Sequence, residues 1–392
     1  MHKQKYIILT FKIYFYVNFK IFPAEKQKIL FALTYDYFTT IDEILPILEG
    51  MIADPKITES DNGGVLDLAR HLIHYGVNVR THTKFMTTVS TFLSVPSSTT
   101  FNKSIQGWKL LGDLHSIPFT QLPSQSQSQL SQPTSSPITT NADTTQKEFS
   151  LHISDIPPEV IGEQLCLHES NLFNSIDISE LHMHFRGSAA HQKATQSPNV
   201  ATATAFSRSL SQWVSSELAS AQMSARPDSS ERYMDVFCRI IELAHFCMVN
   251  NCYAAAADIY NTMKDMEIFG MNEECKSVPH KYKELLNSIS SALSPDEDYK
   301  EYNTRIKILS KDIAKNAQRI VTGVVPHLSY YLKRIESIDR SENDFVAGGL
   351  INFRKHRKLG EMFLEIKRFQ ETRYTDFKPR EEILTCFKNM GV

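Results

Sequence analysis

The chain has 392 residues, enough for two domains of ordinary size. A formal net charge of −2 excludes a general nucleic-acid binder, which needs a basic excess to neutralise phosphates. With 42% hydrophobic and 10% aromatic residues, the composition excludes wholesale disorder and predicts folded cores.

Residues 6–22, YIILTFKIYFYVNFKIF, form an apolar and aromatic start within an N-terminal segment, residues 1–24, of open role. A signal peptide or membrane anchor is one reading; a packed helix or strand, or a tail, is the other. Lys12, Asn18 and Lys20 leave fewer than the roughly 20 clean residues of a span, and no small-residue cleavage site follows. Both facts favour the second reading. Residues 25–118 then read as a small helical N-terminal module. Thr40-Ile41-Asp42-Glu43 has the form of a capping box, followed by Ile44, Leu45 and Leu48 on one face. Pro46 is predicted to kink or shorten this helix. A second helix is predicted over residues 65–75, with Leu66, Leu68, Ala69 and Leu72 apolar, and a third over 84–93.

Residues 119–148 break the pattern. Serine, glutamine, threonine and proline dominate, and such a stretch buries too little apolar area to offset its ordering entropy, so it reads as a flexible linker. From Phe149 onward the chain reads as a large helical domain, residues 149–392. Pro157 and Pro158 suit a helix start, where a missing N–H does no harm. Residues 233–249 are amphipathic, with Phe237, Ile240, Ile241, Ala244 and Met248 on one side; residues 266–286 are less regular, and 298–320 are long and charged. Residues 325–370 read as an antiparallel helical hairpin. Tyr331, Ile335 and Ile338 mark the inner face of its first arm. The polar tip is DRSENDF. The second arm takes over near Gly349, with Leu359, Met362, Phe363, Ile366 and Phe369 as its stripe.

Signals for covalent chemistry are absent. There is no G-x-x-x-x-G-K-[ST] loop, no G-x-S-x-G elbow and no H-E-x-x-H. His182 and His184, with His168 and His191 nearby, lack a second Cys/His cluster at ligand spacing, so no metal or other cofactor is implied. The cysteines Cys166, Cys238, Cys247, Cys252, Cys275 and Cys386 contain no C-x-x-C pair and read as free buried thiols of a reducing compartment. No fixed-period repeat supports a helical solenoid.

Several phrases, in order, carry a family resemblance. FALTYDYFTTIDEIL, residues 31–45, resembles the opening of the Ras exchanger motif domain. IPPEVIGEQLCLHE, LFNSIDISEL, SPNV with FSRSLSQWV, and finally VVPHLSYYL with INFRKHRKLGEMFLEIKRFQETRY resemble successive stretches of the catalytic domain of Ras-family guanine-nucleotide exchange factors. The resemblance implies an all-α fold: a large helical catalytic domain with a protruding helical hairpin, preceded by a small helical module that braces it.

It also implies a function. In that family the hairpin is a wedge that opens a Ras-like small GTPase, favouring its nucleotide-free form, with no covalent step. The expected partner is therefore a Ras-like GTPase in the cytoplasm, with membrane contact only indirect or peripheral. Carried over position by position, Asn251 takes the place of an interface asparagine and is expected to weaken GTPase binding, through its amide, when truncated; Tyr253 stands for a phenylalanine beside it. His327 and Leu328 follow the hairpin proline, and Tyr331 and Leu332 match the family's Tyr-Leu. Lys333 and Arg334 replace Thr-Asp. At the wedge, the residue that crowds the metal site becomes Glu336, and the glutamate that takes over a phosphate-loop hydroxyl becomes Arg340, with Asp339 just before it. These three are the expected catalytic positions. Because arginine offers only donors there, a weak wedge that serves as a GTPase-binding scaffold is the alternative reading.

Overall fold

The computed structural model describes residues 25–37, 40–53, 68–76, 79, 82–94, 151–186, 197–223, 229–268, 278–315, 322–347 and 350–390. Among them the regular elements are α-helices, with one 3₁₀ turn at Tyr35–Tyr37 and three isolated bridges, so the fold is all-α. Residues 6–22 and 119–148, as well as Leu66, His191 and Cys275, lie outside the described residues.

The N-terminal part holds α1 (Glu25–Thr34), α2 (Ile41–Ala53) and α3 (Thr83–Ser94), and residues 68–75 are helical between the last two. The capping box closes α2 as expected: Thr40 Oγ1 accepts the Glu43 N–H at 3.3 Å, and Glu43 Oε2 accepts the Thr40 N–H at 3.4 Å. Of the two outcomes expected at Pro46, shortening does not occur: the proline sits on the exposed face and the helix runs on to Ala53.

The larger part runs through α4 (Pro158–Ser175), α5 (Ile178–Arg186), α6 (Pro198–Gln222), α7 (Ser229–Val249), α8 (Tyr253–Ile268), α9 (His280–Leu293), α10 (Asp296–Lys315), α11 (Leu328–Ser341), α12 (Phe353–Gln370) and α13 (Glu381–Met390). Helix α7 is the centre, packed against α4, α6, α8 and α9. Its predicted stripe is buried, and so are Val236, Leu243 and Cys247 on its other sides, as a helix enclosed by neighbours requires. Cys166, Cys238, Cys247 and Cys252 are buried free thiols, and Cys386 is half-buried.

Polar side chains then tie distant segments together. The Trp213 indole donates to the Leu151 carbonyl at 3.1 Å, and Arg239 donates to those of Ile153 and Ile156 at 2.8 and 2.9 Å. The Gln370 amide donates to the carbonyls of Phe173 and Ile176, at 2.9 and 2.7 Å, and the Tyr374 hydroxyl to that of Asn250 at 2.8 Å. Gln164 donates to the Lys378 carbonyl at 3.0 Å and accepts the Arg380 N–H at 2.7 Å. Each bond pairs a side chain with a backbone group outside its own helix, as buried polar groups require.

Helix α12 joins the two parts, packing on α1 as well as on α4, α10 and α11. A Cβ at Gly360 would sit 3.2 Å from both the Leu30 side chain and its carbonyl oxygen, so glycine permits this close approach.

Candidate functional site

The hairpin is formed by α11 and α12. Tyr331 and Ile335 are buried and Ile338 is half-buried near the tip; on the other arm Leu359, Phe363, Ile366 and Phe369 are buried and Met362 is half-buried. The second arm begins at Phe353, not near Gly349, because Asn352 is its cap: Asn352 Oδ1 accepts the Lys355 N–H at 3.2 Å. The arms are bonded to each other where the Tyr331 hydroxyl donates to Glu365 Oε2 at 2.7 Å. Burial raises the Glu365 carboxyl above the usual carboxylate range, and that hydrogen bond offsets part of the rise.

At its root the hairpin is fastened by a parallel bridge. The Val325 N–H donates to the Asn251 carbonyl at 2.9 Å, and the Val325 carbonyl accepts the Tyr253 N–H at 2.8 Å. Asn251 has φ 59°, the left-handed region that asparagine tolerates better than most residues. Asn251 thus supports the hairpin through its main chain. His327 caps α11 and is buried. Burial pushes its imidazole down to about 4, with Lys333 as the second cause, so the ring stays neutral.

At its far end the hairpin is closed by an ionic clasp. Lys355 is 2% exposed, and its ammonium lies 2.8 Å from both Asp339 Oδ1 and Asp344 Oδ1 and donates to the Asp339 carbonyl at 3.0 Å. Burial alone would lower this lysine's pKa; its hydrogen bonds to the two carboxylates outweigh that and hold it above the ordinary value. Lys358 pairs with Glu342 at 2.5 Å. Asn352 donates to the Asn343 carbonyl at 2.9 Å from its amide and to the Asp344 carbonyl at 2.8 Å from its backbone. The stretch INFRKHRK thus acquires a physical meaning: its asparagine and two of its lysines hold the loop in place.

The structure separates the expected site residues into two groups. Leu328, Leu332, Lys333, Glu336 and Arg340 are half-buried or exposed on the hairpin, and Asn251 is half-buried at its root. Tyr253, His327 and Tyr331 are buried, at 3%, 8% and 2% exposure, so they back the hairpin from inside rather than present a surface. Aromatic rings at the root fill the dry space beneath α10, where Tyr253 and Tyr302 meet edge-on at 5.4 Å. Near the end of α11, Glu336 lies 2.7 Å from Arg340 one turn on, and Asp339 is committed to Lys355. The sequence reading missed Lys355 as the centre of the tip. The K-x-x-K spacing, which puts two cations on one helix face, was the available signal. It also missed Tyr302, in a stretch read only as charged. Among the described residues no cluster of His, Cys, Asp and Glu could hold a metal, and no helix is long and apolar enough to cross a membrane.

Comparison with known proteins bears on this geometry. The RasGEF domain family matches residues 160–357, half of the chain, ending at the start of the hairpin's second arm. Ras guanine nucleotide exchange factor M of Dictyostelium discoideum is 28% identical over 246 residues, 61% of this chain and 24% of that protein. Ras-specific guanine nucleotide-releasing factor 1 of Mus musculus is 26% identical over 219 residues, 56% of this chain and 16% of that protein. The chain spans about a quarter or less of the length of these relatives. A match over half the chain shows that this chain belongs to the RasGEF domain family.

Proposed function

We propose that the protein is a guanine-nucleotide exchange factor that promotes GDP release from a Ras-like small GTPase through its α11–α12 hairpin. The observation that carries this reading is a family match that runs through the hairpin's first arm and tip to the start of its second arm, where Asn352 and Lys355 hold the loop. Such a factor makes no covalent bond. It binds the nucleotide-free GTPase better than the nucleotide-bound form, and that difference shifts the population toward release. The candidate contact surface is Asn251, Leu328, Leu332, Lys333, Glu336 and Arg340, with Asp339, Tyr253, His327 and Tyr331 behind it. Residues 25–118 act as the exchanger-motif-like brace, a role favoured by the packing of α1 on α12. The protein works in the cytoplasm, and a lipid-anchored partner brings it to membranes indirectly.

One observation favours the alternative, a weak exchanger that serves as a scaffold. The hairpin's carboxylates Glu336, Asp339, Glu342 and Asp344 all pair with cations of the same hairpin. A wedge that needs a carboxylate acceptor must first break one of these pairs. Release of a fluorescent GDP analogue from a panel of Ras-like GTPases tests the first reading, and capture of nucleotide-free GTPase tests the second. Neither release nor capture across the panel would sink both.

A further inference from the structure

Helix α10 has no role in the reading above, yet it makes the polar contacts to the root of the hairpin's first arm. Tyr302 is fully buried, and its hydroxyl accepts the backbone N–H of His327 at 2.8 Å, where α11 begins. The next residue, Asn303, accepts through Oδ1 from the Tyr330 hydroxyl and from Arg334, the latter at 3.4 Å. Arg334 also donates to the Tyr330 hydroxyl and lies over its ring at 5.4 Å. Two adjacent residues of α10 therefore hold positions 327, 330 and 334, which share one face of α11. Edge-on rings reinforce them: Tyr302 and Tyr299 each lie 5.1 Å from Tyr330.

The approach to this contact is strained. Asp298 and Tyr299 both have φ 57°, a region that residues with a Cβ rarely adopt. The Asn303 amide donates to the Asp298 carbonyl at 2.7 Å and holds that turn. The same asparagine thus fixes the entry to α10 and grips α11. Helix α10 also packs on α12, so it touches both arms.

We propose that Tyr302 and Asn303 are positioning residues that set the hairpin's angle from α10, so that the outer face of α11, with Leu332, Lys333, Glu336 and Arg340, is presented in one orientation. The functional half of this proposal rests on the exchange reading; the structural half does not.

Tyr302→Phe keeps the ring and removes only the acceptor, and Asn303→Ala removes the second grip at a partly exposed site. Hydrogen exchange of residues 327–334 is expected to accelerate roughly tenfold in either variant, the size of one lost buried hydrogen bond, with the melting temperature little changed. The maximal rate of GDP-analogue release from a Ras-like GTPase is expected to fall severalfold, with the half-saturating concentration of the protein unchanged. Asn303→Asp keeps an acceptor for Tyr330 and Arg334 and should restore the rate. The proposal is overturned if exchange of 327–334 is unaltered in both variants, if Asn303→Asp is no better than Asn303→Ala, or if rate and melting temperature fall together. If the wild type releases nucleotide from no GTPase while 327–334 still loosens in the variants, the exchange reading fails and the positioning role stands.

Discussion

The two ends of the hairpin are held by opposite kinds of chemistry. The root is mostly buried and aromatic, with Tyr302, His327, Tyr330 and Tyr331 joined by hydrogen bonds and ring edges and with Arg334 and Glu365 as its ionisable partners. The tip is ionic, with Lys355 between Asp339 and Asp344, Lys358 on Glu342 and Arg340 on Glu336. Neutral buried hydrogen bonds respond little to salt, whereas half-exposed ion pairs are screened by it. The difference teaches that such a hairpin can keep a fixed root while its far end stays responsive to the charges of whatever it meets.

The comparison is broken most severely at Lys355. Lys355→Ala leaves two carboxylates facing each other, and it should cost roughly 3–5 kcal/mol, as removing one partner of a buried pair does. Urea unfolding measures this; a loss below about 1 kcal/mol would mean that the clasp is not structural. Acid should break the root instead. His327 is held at about 4 when folded against an ordinary 6.5, so the unfolded state takes up its proton first as pH falls. Stability on this account is complete above about pH 6.5 and is lost between there and about 4, by roughly 3 kcal/mol. His327→Gln should flatten that limb of the pH profile, and an unchanged slope would contradict it.

A third change acts between the arms and α1. Gly360→Leu forces a side chain into the Leu30 contact and should cost about 1–3 kcal/mol by overpacking, loosening α1 in hydrogen exchange. No change in α1 would show that this contact does not brace the hairpin. The smallest effect on stability is expected at the surface pair. Arg340→Glu removes an exposed one-turn pair worth about 0.3–0.5 kcal/mol, yet it should speed GDP release by supplying an acceptor at the wedge. Slower release in this variant would mean that the carried-over register of the hairpin is wrong.

Much of the scaffold was legible. The capping box of α2, the prolines opening α4 and the stripes of α7 and α12 follow from spacing alone, because a helix's own periodicity decides which face is apolar. Periodicity does not say what covers that face. Tyr253 and His327 match positions expected at a surface, but Tyr302 of α10 packs on both, and nothing local to those residues signals α10. Lys355 was only partly legible: its spacing to Lys358 marks a cationic face but not its burial. Its partners Asp339 and Asp344 lie on the far side of a loop, and only the fold of that loop decides whether a lysine is solvated or enclosed.

The stitches made by Gln370 and Gln164 have a consequence for biosynthesis. Helix α4 is bonded in its middle and at its C-terminal end to segments 194 to 216 residues later in the chain. At translation speeds of about 5–20 residues per second, α4 leaves the ribosome roughly 10–40 s before its partners exist. During that interval α4 can pack on α6, α7 and α8, but its contacts with α12 and α13 are missing. The larger part of the protein therefore cannot close around α4 until residues 370–380 have been made, and until then the nascent chain suits chaperones that shield apolar helices.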